Sequence, residues 1–395
     1  MKRILIAGTA DTKGEELDFL RTQIAEAGAR AILVDVGIGE PQCAVDVSRR
    51  QVADHLDVSI IDGRDRGVAV ARMGEAFEKF VASFTDFDAI LGIGGGGGTS
   101  IVTRGMRALP IGLPKLVVST LASGNVAHYV DVTDIAMMPS VTDFAGLNRV
   151  SRVILRNAAH AIVGMARASA PASGREKPSI GLTMFGVTTP CVTKVVERLK
   201  HRYDCLVFHA TGTGGRAMEK LADSGQLDGL IDATTTEICD LLFDGVLSAG
   251  EDRLGSVART RIPYVGSGGA LDMVNFGAMD TVPERYRGRL LYRHNPQVTL
   301  MRTTASECRA IGQWIAAKLN LCEGPVCFLI PERGVSALDV EGGAFFDPEA
   351  DAALFDSLEK GLRQNDRRRL MRLPFHINDA EFAAALADNF IALAG

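Results

Sequence analysis

The chain contains no Cys-x-x-Cys pair and no Gly-x-Ser-x-Gly elbow. No Gly-Lys-Ser/Thr follows a glycine loop, and no histidine pair sits at metal-ligand spacing. These gaps argue against a zinc knuckle, an elbow-type serine hydrolase, a Walker A site and a histidine-held metal. The cysteines are odd in number and scattered: Cys43, Cys191, Cys205, Cys239, Cys308, Cys322 and Cys327. That pattern fits no disulfide framework and points to a reducing cytoplasm. No uninterrupted apolar run approaches the ~20 residues of a membrane span. The opening MKRILIAGTADTKGEEL turns charged at Asp11 and reads as a first strand, not a signal peptide. An excess of positive charge is also lacking. Lys and Arg number 43 against 48 Asp and Glu, a net charge of −5, so neither nucleic acid nor an anionic membrane is an expected partner.

What is present is alternation. Short apolar runs (RILIAG, ARAILVDVG, DAILGIG, KLVVST) are separated by stretches of helical period. One helix is expected from about Lys13 to Ala27, with Leu17, Leu20, Ile24 and Ala27 on its apolar face. A second is expected over Ala71–Phe84, with Met73, Phe77, Phe80 and Phe84, and a third from about Leu147 to Ala168. Continuous apolar strands between amphipathic helices predict a parallel sheet covered on both faces. The segment from Arg167 to Ser179 loses this periodicity and reads as a linker, centred on residues 171–178. The pattern then restarts with SIGLTMFG, CLVFHATG and LDGLIDATTTEICDLL, followed by IPYVGSGG, RLLYRH and VCFLIP. The length of 395 residues and this restart predict two Rossmann-like, doubly wound α/β domains, 1–170 and 179–395. The stylistic echo between the halves suggests an internal duplication. It also suggests a cleft where glycine-rich turns of both halves meet.

In such sheets, ligands sit at the strand C-termini, where helix N-termini offer free N–H groups and partial positive charge. Five consecutive glycines, Gly94–Gly98, follow the strand DAILGIG and precede Thr99 and Ser100. Bare amides of this kind can curl round an oxyanion. Thr99 is expected to add a hydroxyl and to begin the helix. GTADTKG supplies Gly8, Thr9, Asp11, Thr12 and Lys13, with the lysine suited to phosphate and Asp11 to a metal or a helix cap. Asp35 ends the second strand, where a carboxylate can hold a ribose. Ser119, Thr120, Ser123, Gly124 and Asn125 follow the fourth strand. For each turn the alternative is an ordinary cap or tight turn.

In the second half, His209, Arg216 and Glu332 are the candidates for catalytic roles: His209 and Glu332 for proton transfer and Arg216 for an anion. His294 is a further site candidate. The remaining polar turns (Asp232 to Glu237, Ser267 to Asp272, Ser336) complete a possible acid–base pocket.

Long blocks carry a resemblance. GTADTKGEELDFL, LGIGGGGGTS, MMPSVTDFAGLNRVS, TMFGVTTPCV, FHATGTGGRAME, HNPQVTLMRTT and PFHINDAEFAAAL resemble the tomato mosaic virus resistance protein-like ATP-binding domain family, from first strand to last helix. The resemblance implies two Rossmann-like subdomains and ATP with Mg²⁺ at Thr9, Asp11, Thr12, Lys13 and Gly94 through Thr99. It also implies a homodimer. It supplies no reaction. Three readings therefore stand: an ATP-dependent enzyme acting on a small substrate, a nucleotide-gated protein-binding module, and a dinucleotide oxidoreductase. The last is weakened because no Gly-x-Gly-x-x-Gly follows the first strand.

Overall fold

The structure is a computed structural model and describes residues 1–57, 59, 65–168 and 177–395. The chain divides into two compact units, Met1–Ser173 and Gly174–Gly395. Of the expected linker 171–178, residues 171–176 lie outside the described residues.

The first unit is one parallel sheet of five strands: β1 (Arg3–Gly8), β2 (Arg30–Asp35), β3 (Ala89–Gly94), β4 (Lys115–Ser119) and β5 (Ile135–Pro139), in the order β2-β1-β3-β4-β5. Side chains alternate across it, as the pleat requires. Ile4 and Ile6 face the helices Gly14–Glu26 and Arg149–Arg167, through Leu17, Leu20, Ile24, Leu155 and Ile162. Leu5 and Ala7 face the helices Arg66–Ser83 and Gly96–Ala108, through Met73, Phe77, Ile101 and Val102. Both faces are buried, which is why the strands read as unbroken apolar runs.

The second unit repeats the strategy with six parallel strands: β6 (Ser179–Met184), β7 (Asp204–His209), β8 (Gly229–Thr234), β9 (Tyr264–Gly269), β13 (Val326–Pro331) and β14 (Arg368–Leu373), in the order β14-β13-β9-β8-β6-β7. Between β9 and β13 the chain adds an antiparallel sheet of β10 (Met273–Phe276), β11 (Leu291–Asn295) and β12 (Val298–Arg302), in the order β10-β12-β11. One face of the parallel sheet carries the helices Thr189–Leu199 and Ala380–Ala394; the other carries Thr213–Asp223, Ala305–Leu319 and Pro348–Gly361. Counted from its own first strand, the larger sheet begins 2-1-3-4-5, as the smaller one does. That order is common to doubly wound folds, so it accounts for the echo in the sequence without requiring a duplication.

Phe77 is completely buried, and its ring lies where a Cβ on Gly105 would fall, 2.4 Å away. The helix Gly96–Ala108 therefore packs against that ring with no slack. Phe77→Ala is expected to lower the stability of the first unit by about 3–5 kcal/mol, read by urea denaturation followed by circular dichroism.

Candidate functional site

In the first sheet, β1 and β3 are neighbours, yet their following helices leave to opposite faces. This is the topological switch point, where such sheets open a crevice at the strand C-termini. A crevice of about 180 Å³ lies there, lined by Thr9, Asp11, Thr12 and Lys13 from the β1 turn and by Gly95–Gly98 from the β3 turn. Val36, Ile38, Val70 and Ile101 supply an apolar wall, and Arg66 a second cation.

The helix expected to begin at Thr99 begins at Gly96, so three of the five glycines form its first turn and Gly95 is its cap residue. Thr99 Nα–H already donates to Gly95 O at 2.9 Å, whereas the amides of Gly96, Gly97 and Gly98 have no hydrogen-bond partner among the described residues. No side chain caps this helix. Gly94 is needed by the fold itself, since a Cβ there would lie 2.4 Å from Thr99 N. The other four are not. Among the described residues, a Cβ on Gly95, Gly96, Gly97 or Gly98 would meet nothing closer than 3.5 Å, and none of the four has positive φ.

Of the other expected groups, Thr9 and Thr12 pair through their hydroxyls at 2.8 Å on the crevice wall. Asp11 accepts from Gly39 N through Oδ2 at 2.8 Å, while its buried Oδ1 has no hydrogen-bond partner among the described residues. Lys13 Nζ donates to Phe144 O at 2.5 Å. Several expected residues have structural positions instead. Gly8 is required by packing, because a Cβ there would stand 2.8 Å from Leu17. Asp35 is wholly buried. Its Oδ1 accepts from Ala10 N at 3.0 Å and Gly37 N at 2.8 Å, clamping the turns after β1 and β2 instead of facing a ribose. Burial pushes its carboxyl pKa up, with the neighbouring Asp11 charge adding to the shift. Thr99 and Ser119 are also fully buried. Their hydroxyls bond each other at 2.7 Å, Thr99 bonds Gly94 O, and Leu121 N donates to Ser119, so neither hydroxyl faces the crevice. Thr120 lies beside Gly95, with Oγ1 3.8 Å from where its Cβ would fall. Ser123 and Gly124 are exposed in the following turn and do not line the crevice. Arg66 escaped the sequence reading. It sits in a charged stretch whose role becomes visible only when the helix Arg66–Ser83 is seen beside the glycines.

The second unit treats the same positions differently. Its switch point lies between β6 and β8, and there Thr188 and Thr234 bond hydroxyl to hydroxyl at 2.7 Å, both fully buried. The glycine turn after β7 is filled from within. Glu237 Oε1 accepts from Gly212 N at 2.7 Å and Gly215 N at 3.0 Å. The glycines here are fold-required: Gly212 has φ +82°, and a Cβ on Gly215 would fall 2.0 Å from Glu237. Arg253, itself 2% exposed, bonds Glu237 at 2.9 Å, Glu219 at 3.0 Å and Asp232 at 2.7 Å. Burial raises the Glu237 pKa against the pull of Arg253. Asp240, bonded to the Asn275 side chain at 2.6 Å, is pushed up to about 7 by burial.

The expected catalytic trio is not assembled. His209 is exposed at the end of edge strand β7, against Phe185 at 5.3 Å between centroids. Glu332 follows β13, with β9, β8 and β6 intervening, a separation of about 19 Å at ~4.8 Å per strand. Arg216 is exposed, and its Nε donates to Gly212 O at 3.4 Å. His294 is exposed on β11. Among the described residues, no group of three or more His, Cys, Asp or Glu side chains comes together to hold a metal. No helix among them is long and apolar enough to cross a membrane.

Fold and crevice thus define a two-unit α/β protein with an open switch point in one unit and a closed one in the other. Residues 2–171 match the N-terminal domain of Uncharacterised protein family UPF0261, and residues 177–394 match its C-terminal domain; the chain belongs to this family. A UPF0261 protein of Rhizobium meliloti is 67% identical, covering 98% of this chain and 97% of that protein. The ToMV resistance protein Tm-1(GCR237) of Solanum lycopersicum is 41% identical over 98% of this chain, which spans 55% of the tomato protein. The family link that the sequence blocks implied therefore holds. Among solved structures, Acinetobacter baumannii MurG aligns at 11% identity and a TM-score of 0.24, covering 100% of this chain and 91% of MurG. That score is too low to carry any inference.

Two outcomes follow for the second unit, where the chain's single tryptophan, Trp314, reports unfolding by fluorescence. Arg253→Met strands three buried carboxylates and is expected to destabilise by about 3–5 kcal/mol. Asp240 keeps its proton in the folded state up to about pH 7 but loses it near 4 when unfolded. Its raised pKa therefore stabilises below pH 4, and that contribution fades as pH rises to 7. Denaturation midpoints should fall across this window, and Asp240→Asn should flatten the fall.

Proposed function

We propose that the first unit binds the phosphates of ATP, with Mg²⁺, in the switch-point crevice. One observation carries this reading: Gly95–Gly98 are glycines that the fold does not need, at a helix start whose amides are unpartnered. Glycine in a helix costs roughly 0.5–1 kcal/mol relative to alanine. Keeping three in one helical turn makes sense when something must approach the backbone from outside. An anion there gains from the N–H groups and the helix dipole together. Lys13 and Arg66 supply full positive charges at the same crevice.

The residues also fit the metal. Mg²⁺ keeps most of its shell as phosphate oxygens and water and needs only one or two carboxylates. Asp11, with Oδ1 buried and unpartnered, would be the protein ligand. The ion would neutralise phosphate charge. Asp11 would anchor it while Oδ2 continues to hold Gly39, and Lys13 would turn one N–H from Phe144 O toward phosphate. The apolar wall of Val36, Ile38, Val70 and Ile101 suits the flat face of a base. The reading is one of binding. The wide separation of His209 from Glu332 gives no acid–base pair on which to build a turnover step.

The test uses opposite signs. In Gly96→Ala/Gly97→Ala, each new Cβ makes only ordinary van der Waals contact, with Leu121 at 3.9 Å and Val70 at 3.8 Å, so the chain should become more stable by about 0.4–1 kcal/mol per site. Magnesium–ATP affinity by titration calorimetry should fall at least tenfold, because the methyls stand over the amides. A protein that is more stable and binds ATP unchanged would remove the crevice from the proposal. Gly94→Ala should behave differently, losing stability first.

A further inference from the structure

The proposed phosphate site raises the question of which side chain sets its preference for phosphate charge. Lys13 is the obvious answer from the β1 turn, but its ammonium is already held by Phe144 O at 2.5 Å and it lies near the Phe144 ring, 5.8 Å from the centroid. Its capacity toward a ligand is therefore shared. Arg66 comes from the other side of the sheet, on the helix Arg66–Ser83. It is exposed, and it makes no hydrogen bond or ion pair among the described residues. Of the other charged side chains on that helix, Arg72 pairs with Asp57 and Glu75 and Glu78 both pair with Arg104, while Lys79 is exposed more than three turns further along. Asp65, next to Arg66, spends its carboxylate capping the helix through Gly67 N and Val68 N.

Position completes the argument. Val70 lies one helical turn after Arg66, so the two share a helix face. Val70 is also the residue nearest a Cβ on Gly97, at 3.8 Å. Arg66, Val70 and Gly95–Gly98 all line the same crevice, which places Arg66 at the first turn of this helix beside the glycine turn. Gly98, the next residue, faces Thr9 at 3.8 Å on the β1 side. The glycine amides are thus bracketed by the β1 turn with Lys13 on one side and by Arg66 on the other. A guanidinium with five fixed donors suits two phosphate oxygens at once, which an ammonium does not.

We infer that Arg66 is the specificity-determining residue of the crevice: it grips the phosphate chain of the ligand and makes affinity depend on the number of phosphate charges. The inference rests on the phosphate reading above. The site's ligand class is accordingly a polyphosphate ester with at least two adjoining phosphates. A monophosphate would engage the glycine amides but leave Arg66 unused.

The experiment compares wild type, Arg66→Ala and Arg66→Lys by titration calorimetry with Mg–ATP, Mg–ADP, AMP and Mg–tripolyphosphate, the last having no base. Wild type should bind in the order ATP, ADP, AMP, and should bind tripolyphosphate. Arg66→Ala should lose about 10- to 100-fold for ATP and tripolyphosphate alike, and little for AMP, which compresses the order. Arg66→Lys should recover only part of the loss, since it restores charge but not the two-pronged geometry. An unchanged melting temperature is expected, as Arg66 supports no other side chain. If wild type binds ATP but Arg66→Ala binds it equally well, the inference fails and the phosphate reading survives. If Arg66→Ala weakens ATP but leaves tripolyphosphate untouched, Arg66 contacts the base and the inference also fails. If wild type binds none of the four, the phosphate reading fails and takes the inference with it.

Discussion

A helix start leaves backbone N–H groups that must be satisfied by something. This protein meets that demand in two opposite ways. In the second unit the turn after β7 is satisfied by Glu237, a carboxylate of the chain itself, held in turn by Arg253. In the first unit, among the described residues, the turn after β3 carries no internal anion and no side chain accepts from the amides of Gly96 to Gly98. Other differences between the two units accompany it. The first keeps a crevice at the switch point. The second buries its polar groups, closes the same place with Thr188 and Thr234, and gains an added antiparallel sheet.

The buried polar network of the second unit is organised by a shortage of positive charge. Arg253 serves three carboxylates, and Arg302 bonds Asp351 at 2.7 Å while lying 3.7 Å from Asp339. Water is excluded and cations are few, so some carboxyl groups are held as acids. Burial pushes Asp272 up to about 7 and Asp351 up to about 8. Backbone amides take up much of the remaining demand, as at Glu219, which accepts from Leu254 N and Ser256 N. A network of this kind fixes one arrangement of loops, because every member has a named partner to lose.

Much of the architecture was legible in the sequence because both sheets are buried on two faces, which turns strands into continuous apolar runs between helices of 3.6 period. The first switch-point crevice was legible for the same reason: glycine runs and a Thr-Ala-Asp-Thr-Lys turn at strand ends are local signals. What escaped depends on distant partners. Nothing local tells that Thr99 faces Ser119 inward, that Asp35 is spent on Ala10 and Gly37, or that Glu237 reaches back to Gly212. Arg66 was invisible because its meaning lies in a neighbour more than thirty residues away. The acid–base pocket expected from His209, Arg216 and Glu332 failed for a topological reason. Strand order in space differs from order in sequence: His209 and Arg216 both follow β7 at the sheet edge, while Glu332 follows β13 four strand positions away.

The junction at Arg253 also bears on how the molecule assembles. The stretch between Leu242 and Gly255 has neither helix nor strand, and the Arg253 guanidinium is its buried ionic anchor, beside backbone ties such as Leu247 N to Asp240 and Leu254 N to Glu219. Its three counter-charges come from the helix Thr213–Asp223, from β8 and from the helix Glu237–Leu242. Stripping water from a guanidinium is tolerable only when its counter-charges are already in place. The seating of the loop and the meeting of those three elements are therefore mutually dependent, since each buried charge needs the others. It works as a keystone: one guanidinium joins two helices and a strand that are separate in the sequence, and removing it would leave all three facing an uncompensated buried charge.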